Sequence, residues 1–433
     1  MHLAKIFNDH MVLQRNREIC IFGYGKGNGV IEFQGKTYSF TSEKESFNVY
    51  LPPHSEGGPY EMKVTLNGES KTIKDIMIGE VYIAAGQSNM AFTLGRTIDI
   101  DYVDNNNVRF FTEPNDANDN GIPSFNSPDW FICNSKLVDN FSAIGYYFAV
   151  ELQKHIGVPV GVVSCSKGAS RIDAWTAPEI VQAAEYQNMI AIKHRDYEDF
   201  KFNQNSWLYK NKLLQIAPFS NSGILWYQGE SNRCHEEGAY YRDMLEILVN
   251  NWRELWDYNL PFYCIQLMPF DETPANADWA IIREQQELAS KTIENFYLIT
   301  LFNTKEADSI HPLQKKDVSY ALSNAVRKIQ FNENLEYCGP ILEKYERQDN
   351  YIKLYFSHAD GLFINGDTLL DTYIYDKNSQ YIATQIIIED NYIKLFWDDN
   401  IMPIRLSMGY NNAPEHNLYN KFGYLSSPFN LHF

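Results

Sequence analysis

The sequence predicts an α/β protein, with a mostly parallel sheet covered by helices and an all-β region at each end. Three observations carry that expectation. Short β-rich runs fill residues 1 to about 75, strand-like runs alternate with helix-periodic segments from residue 80, and short β-rich runs return after about residue 330. The expected organisation is therefore an N-terminal β-sandwich-like region over 1–75, a central α/β domain over 76–330 and a C-terminal β region over 331–433.

In the first region CIFGYG, GVIEFQG, TYSFTS and EMKVTL read as strands, with Asn67-Gly68 as a hairpin signal. In the central region the runs are VYIAA, VRFFT, VGVVSC, GILWY, FYCIQL and FYLITL. The clearest helix spans about 238 to 256, where Leu245, Leu248, Val249, Trp252, Leu255 and Trp256 make one apolar stripe. After a helix-like VSYALSNAVRKI come YIKLYF, GLFING, TYIYD, QIIIED and YIKLFW, all strand-like.

Composition bounds the function classes. A chain of 433 residues with 44% hydrophobic and 15% aromatic content can bury a large core. Its 37 basic and 55 acidic side chains give a formal charge of -18, which disfavours general attraction to nucleic acid or anionic membrane. No apolar run reaches transmembrane length, and the start MHLAKIFNDHMVLQR lacks the apolar core of a secretory leader, so a cytoplasmic protein is expected. The six cysteines are scattered without C-x-x-C spacing and read as reduced and structural. Neither a phosphate-binding glycine motif nor a zinc cluster appears, so no cofactor is expected. His235 beside Glu236 and Glu237 lacks H-E-x-x-H spacing and reads as a solvated face.

Loops at the carboxyl ends of parallel strands are where such sheets place chemistry, and four polar loops sit there. Gly86-Gln87-Ser88-Asn89 follows VYIAA, so Ser88 is either an N-cap or a nucleophile. Ser164 to Arg171 supplies small residues whose N–H groups can approach a ligand. Trp226 to Asn232 gathers amide, carboxylate and hydroxyl groups, and Asp308-Ser-Ile-His311-Pro puts an acid three residues before a histidine. Together they supply serine hydrolysis: Ser88 as nucleophile, His311 as general base and then acid, and Asp308 to fix the imidazole tautomer. The oxyanion donors expected are the N–H groups of Ser88 and Gly168 and the side-chain amide of Gln228.

GQSNM, WYQGESN and DSIHP, with MVLQR at 11–15, DAWTAPE at 173–179, IREQQ at 282–286 and YNNAPEHNLYNKFGYLSSPF near the end, resemble the sialate O-acetylesterase and related carbohydrate acetylesterase family of the SGNH hydrolase superfamily. The resemblance spans nearly the whole chain. It implies a three-layer α/β/α hydrolase domain, the triad Ser88, Asp308 and His311, and an oxyanion hole of Ser88, Gly168 and Gln228. Where the family has Gly-Gly-Thr this chain has Gly168-Ala169-Ser170, so a positive φ at the middle position would strain Ala169. Glu230 is expected to orient loops rather than serve as the triad acid. Gln87, Asn89, Asn232, Arg233, Arg283 and Trp175 are expected to support the loops or contact substrate.

The resemblance implies removal of O-acetyl groups from sugars, with 9-O-acetylated sialic acids placed ahead of acetylated xylo-oligosaccharides. A sialic acid carboxylate calls for a cation, and Arg96, Lys167, Arg171, Arg233 and Arg283 lie in or beside the loops. A neutral sugar would instead rest on aromatic faces such as Trp175, Tyr227 or Trp279. Two other readings remain: a non-catalytic carbohydrate-binding protein, suggested by the two β regions, and a lipase or thioesterase. The expected partner is an O-acetylated sugar; the sequence leaves the oligomeric state open.

Overall fold

The structure, a computed structural model, describes the chain apart from residues 115–128, 191–196, 205, 272–277 and 301–305, and apart from the side chain of residue 235. Its centre is a twisted sheet of seven strands: β1 (Glu69–Gly86), β2 (Asn105–Thr112), β3 (Phe131–Cys133), β4 (Val160–Ser166), β5 (Gly223–Tyr227), β6 (Phe262–Ile265) and β7 (Phe296–Ile299). The spatial order is β3-β2-β4-β1-β5-β6-β7, parallel throughout except for β3 at the edge. Every residue of β4, β5 and β6 is buried. Strands with that pattern are covered on both faces.

The cover comes from α1 (Ala143–Ile156), α2 (Tyr241–Trp256), α3 (Trp279–Thr292) and α4 (Lys316–Phe331), with α1 packed on α4 and α2 on α3. The predicted stripe lies on α2, where Leu245, Leu248, Val249, Trp252 and Trp256 are all buried. Ser142 caps α1 by accepting from the Gly145 N–H at 3.1 Å, and Asp278 caps α3 by accepting from the Ile281 N–H at 3.1 Å. Among the described residues no helix is long and apolar enough to cross a membrane.

The expected boundary at residues 75 and 76 falls inside a single strand. β1 pairs antiparallel with Gly57–Leu66 over its first part, touches Val12–Gln14 in parallel at Met77 to Gly79, and then runs between β4 and β5. The hairpin before it turns at Asn67 (φ 51) and Gly68 (φ 84), the two positive angles that an Asn-Gly turn supplies. One hydrophobic core accordingly runs from Ala4 to Ile341 and joins the N-terminal strands to the central sheet. A second core, from Leu342 to Phe429, fills the C-terminal region, whose two four-stranded antiparallel sheets make one module.

That module is held against the central domain by the YNNAPEHN segment. Arg283 of α3 donates to the carbonyls of Asn411 and Asn412, the Trp279 N–H donates to Asn412 Oδ1 at 3.1 Å, and Tyr410 donates to Glu284 at 2.9 Å.

Candidate active site

β1, β4 and β5 end level with one another, with Gly86 paired to Ser166 on one side and to Tyr227 on the other. The three loops that follow therefore emerge together. Gly86 has φ +128, and a Cβ there would lie 2.1 Å from the Tyr227 carbonyl oxygen, so only glycine lets β1 turn at this point. The turn delivers Ser88 as the first residue of a short helix, Ser88–Ala91, whose N-cap position is Gln87 and carries no side-chain cap. The capping alternative for Ser88 is thereby removed.

Ser88 Oγ lies 2.8 Å from His311 Nε2. The imidazole is half-buried beside Phe92, with ring centroids 6.0 Å apart. Its pKa is lowered, first by burial and then by the positive charges of Lys315 and Arg96. A neutral imidazole bonded to a serine hydroxyl is the arrangement a general base requires.

Asp308 departs from expectation. Its carboxylate is exposed and makes no hydrogen bond to His311, and among the described residues no acceptor meets His311 Nδ1. The segment before the histidine is held instead by Ser309, whose Oγ accepts from the His311 N–H at 3.2 Å and donates to its carbonyl at 3.1 Å. What the structure brings together is a serine and a histidine.

Gln228 also departs. It is fully buried, its amide donates to Ser170 O at 3.0 Å and to Asn232 Oδ1 at 2.7 Å, and its own oxygen accepts from Tyr241 at 2.6 Å. With both N–H groups engaged it has no donor left for an oxyanion. Gly168 lies beside the serine: a Cβ on it would sit 3.6 Å from Ser88 Cβ. Neither the Gly168 nor the Ser88 N–H has an acceptor among the described residues. Ala169 holds φ 58, the left-handed angle that a β-carbon disfavours.

The supporting residues knit the loops. Gln87 Oε1 accepts from the N–H groups of Gly229 and Ser231, at 3.3 and 3.4 Å. Asn232 Oδ1 accepts from the Ile172 N–H at 3.1 Å while its amide donates to Glu237 at 2.6 Å. Asn89 donates to Glu230 Oε1 at 2.7 Å and to the Ile310 carbonyl at 3.0 Å. Glu230 thus links the third loop to the serine loop through Asn89, and burial raises its pKa to about 6.

Of the five cations expected near substrate, three are engaged in the protein. Arg171 is buried on Glu237 and the Ser231 carbonyl, Arg283 is buried in the C-terminal clamp, and Arg233 donates to the Glu230 carbonyl at 2.9 Å beneath Trp279. Glu237 is accordingly buried, contrary to the solvated face expected; the side chain of His235 lies outside the described residues. Arg96 is exposed over Phe92, and Lys167 is partly exposed over Phe202. Trp175, Tyr227 and Trp279 are no sugar platforms, being at most 2% exposed. Trp175 instead donates to Ser170 Oγ at 3.0 Å and packs on Trp252.

Residues 78–325, more than half of the chain and inclusive of all four loops, match a family model described as carbohydrate esterase, sialic acid-specific acetylesterase. The chain belongs to this family. It is 24% identical to the sialate O-acetylesterase of Homo sapiens over 388 residues, covering 79% of this chain and 74% of that protein. The sialate O-acetylesterase of Mus musculus is 24% identical over 413 residues, with 79% and 76% covered. The crystal structure of a carbohydrate acetylesterase from Xanthomonas citri superposes with a TM-score of 0.85 at 25% identity, covering 99% of each chain. As a sialic acid-specific acetylesterase family member the protein is a carboxylic ester hydrolase.

Within this family site one residue escaped the sequence reading. Lys315, 2% exposed, donates to Asn89 Oδ1 at 2.7 Å. The signal that could have found it is a lysine four residues past His311, at the mouth of a helix whose buried face the periodicity already marks.

Proposed function

We propose that the protein is a serine esterase that removes O-acetyl groups from carbohydrates, sialic acids foremost, through an acetyl-enzyme on Ser88. The observation that carries the reading is the 2.8 Å contact between Ser88 Oγ and His311 Nε2. His311 takes the hydroxyl proton as Ser88 attacks the acetyl carbonyl, and returns it to the departing sugar oxygen. Water then attacks the acetyl-enzyme, with His311 again as base, and acetate leaves. The N–H groups of Ser88 and Gly168, which meet no acceptor among the described residues, are the proposed oxyanion donors; loss of one such donor typically costs about 3 kcal/mol in the transition state.

The names of the mammalian relatives support sialate as the sugar. So do Arg96 and Lys167, two accessible cations beside the loops of a chain whose charge is -18. A guanidinium or ammonium there would meet the sialate carboxylate. The second reading, an esterase of neutral acetylated oligosaccharides, draws on the Xanthomonas citri carbohydrate acetylesterase. Burial of the three aromatic platforms weakens it.

The deciding measurement is acetate release from 9-O-acetylated sialic acid and from acetylated xylo-oligosaccharide, with wild type, Ser88→Ala and Arg96→Ala. Serine-dependent release from the sialic acid, with KM raised at least about fivefold by Arg96→Ala through loss of a charge-assisted contact, is expected. Release that survives Ser88→Ala in a folded protein would sink the mechanism, and serine-dependent release from the xylan fragment alone would transfer the reading to neutral sugars.

A further inference from the structure

Lys315 occupies a place with two electrostatic penalties. Its ammonium is withdrawn from water, which lowers its pKa to about 7 against the opposing pull of Glu230 and Glu306. It also stands at the N-terminal end of α4, where the helix dipole disfavours a cation. A methionine or leucine would fill the space without either penalty, so the ammonium itself must contribute something.

The hydrogen bonds around Asn89 indicate what. A charged Lys315 can only donate, so the amide oxygen of Asn89 must face it; the ionised Glu230 carboxylate and the Ile310 carbonyl can only accept, so the amide nitrogen must face them. Each partner fixes the same orientation of one side chain. That side chain is the neighbour of Ser88, and the carbonyl it holds belongs to the residue before His311.

The geometry points to Lys315 as a positioning residue: by locking the Asn89 amide it sets the His311 loop against the Ser88 loop. Its ammonium, with Arg96, also opposes a second positive charge on the imidazole. The charged groups facing this cluster are Arg96 from the segment after Ser88, Glu230 and Arg233 from the third loop, and Glu306 from the histidine segment. Asp317 lies in the first turn of α4, and Asp308 is exposed on the histidine loop. The inference rests on the Ser88–His311 reading above.

The test uses Lys315→Met, Lys315→Gln and Asn89→Leu in the full chain. The titration of His311 is read by NMR, and kcat and KM are read across pH on 9-O-acetylated sialic acid. Removing the cation is expected to raise the His311 midpoint by about 0.5 unit or more in both lysine variants. Lys315→Met and Asn89→Leu are expected to lower kcat about tenfold or more with KM within about threefold, since misplacing a catalytic group harms turnover more than binding. Lys315→Gln, which keeps a donor for Asn89, is expected to recover much of kcat at high pH. Asn89→Leu cuts the same link without removing the buried charge, so it decides the matter if Lys315→Met does not fold. Folded variants with an unmoved His311 titration and kcat within twofold of wild type would overturn the proposal. The titration needs no substrate, so absence of acetate release by wild type would count against the esterase reading alone.

Discussion

A histidine that accepts a proton from a serine must itself be neutral at the working pH, and three influences favour that form of His311. Burial, Lys315 and Arg96 all lower its pKa from the ordinary 6.5. As pH falls through that lowered value the imidazole charges and turnover is lost, so the acid limb of kcat/KM is expected below 6.5. Among the described residues no carboxylate meets the ring at Nδ1, and this sets the ranking of substitutions. Asp308→Asn is expected to lower kcat less than about tenfold, against the loss of about 10⁴ seen when a bonded triad carboxylate is replaced. His311→Ala should leave almost nothing. Measuring both side by side separates a serine-histidine pair from a full triad, and a thousandfold loss in Asp308→Asn would restore the carboxylate to the mechanism.

Among the elements, the loop after β4 shows a local conflict that the sequence announces. Ala169 takes a left-handed angle, φ 58, that a β-carbon disfavours, beside a Gly168 that lies against Ser88. Ala169→Gly is expected to stabilise the protein by about 0.5–1 kcal/mol, the relief of left-handed strain less the entropy glycine adds to the unfolded chain. A thermal melt checks it, and an unchanged or lower Tm would mean that the loop tolerates the angle without strain. This element also indicates what sequence can reveal. The stripe on α2 is legible because one-sided burial imposes a helical period, and GILWY because burial on both faces makes a short continuous apolar run. Ser88 and His311 were legible because strand ends in parallel sheets gather polar loops. Gln228 and Asp308 were misplaced because an amide or carboxylate in the right loop can turn toward several partners, and only the packed structure selects one. Burial of Arg283 and Arg171 could not be foreseen either, since their acceptors include backbone carbonyls 128 and 60 residues away and, for Arg171, the Glu237 carboxylate 66 residues away.

For the whole molecule, the two cores give different expectations for its ends. Residues 1–75 share a core and a strand with the central sheet, so a chain beginning at residue 76 would lose the first part of β1 and expose Ile76 and Ile78, which pair with Tyr60 and Gly57. Such a truncation is expected to be insoluble or unfolded when expressed, as judged by circular dichroism and size-exclusion chromatography. A folded, active 76–433 fragment would contradict the shared core. β1 carries a further consequence. Its first residues are zipped to the N-terminal hairpin and its last residue turns into the serine loop, in one uninterrupted run from Glu69 to Gly86. Over evolutionary time a recombination breakpoint anywhere in that run would sever the nucleophile from its own foundation, so the N-terminal strands and the hydrolase sheet are expected to be inherited together.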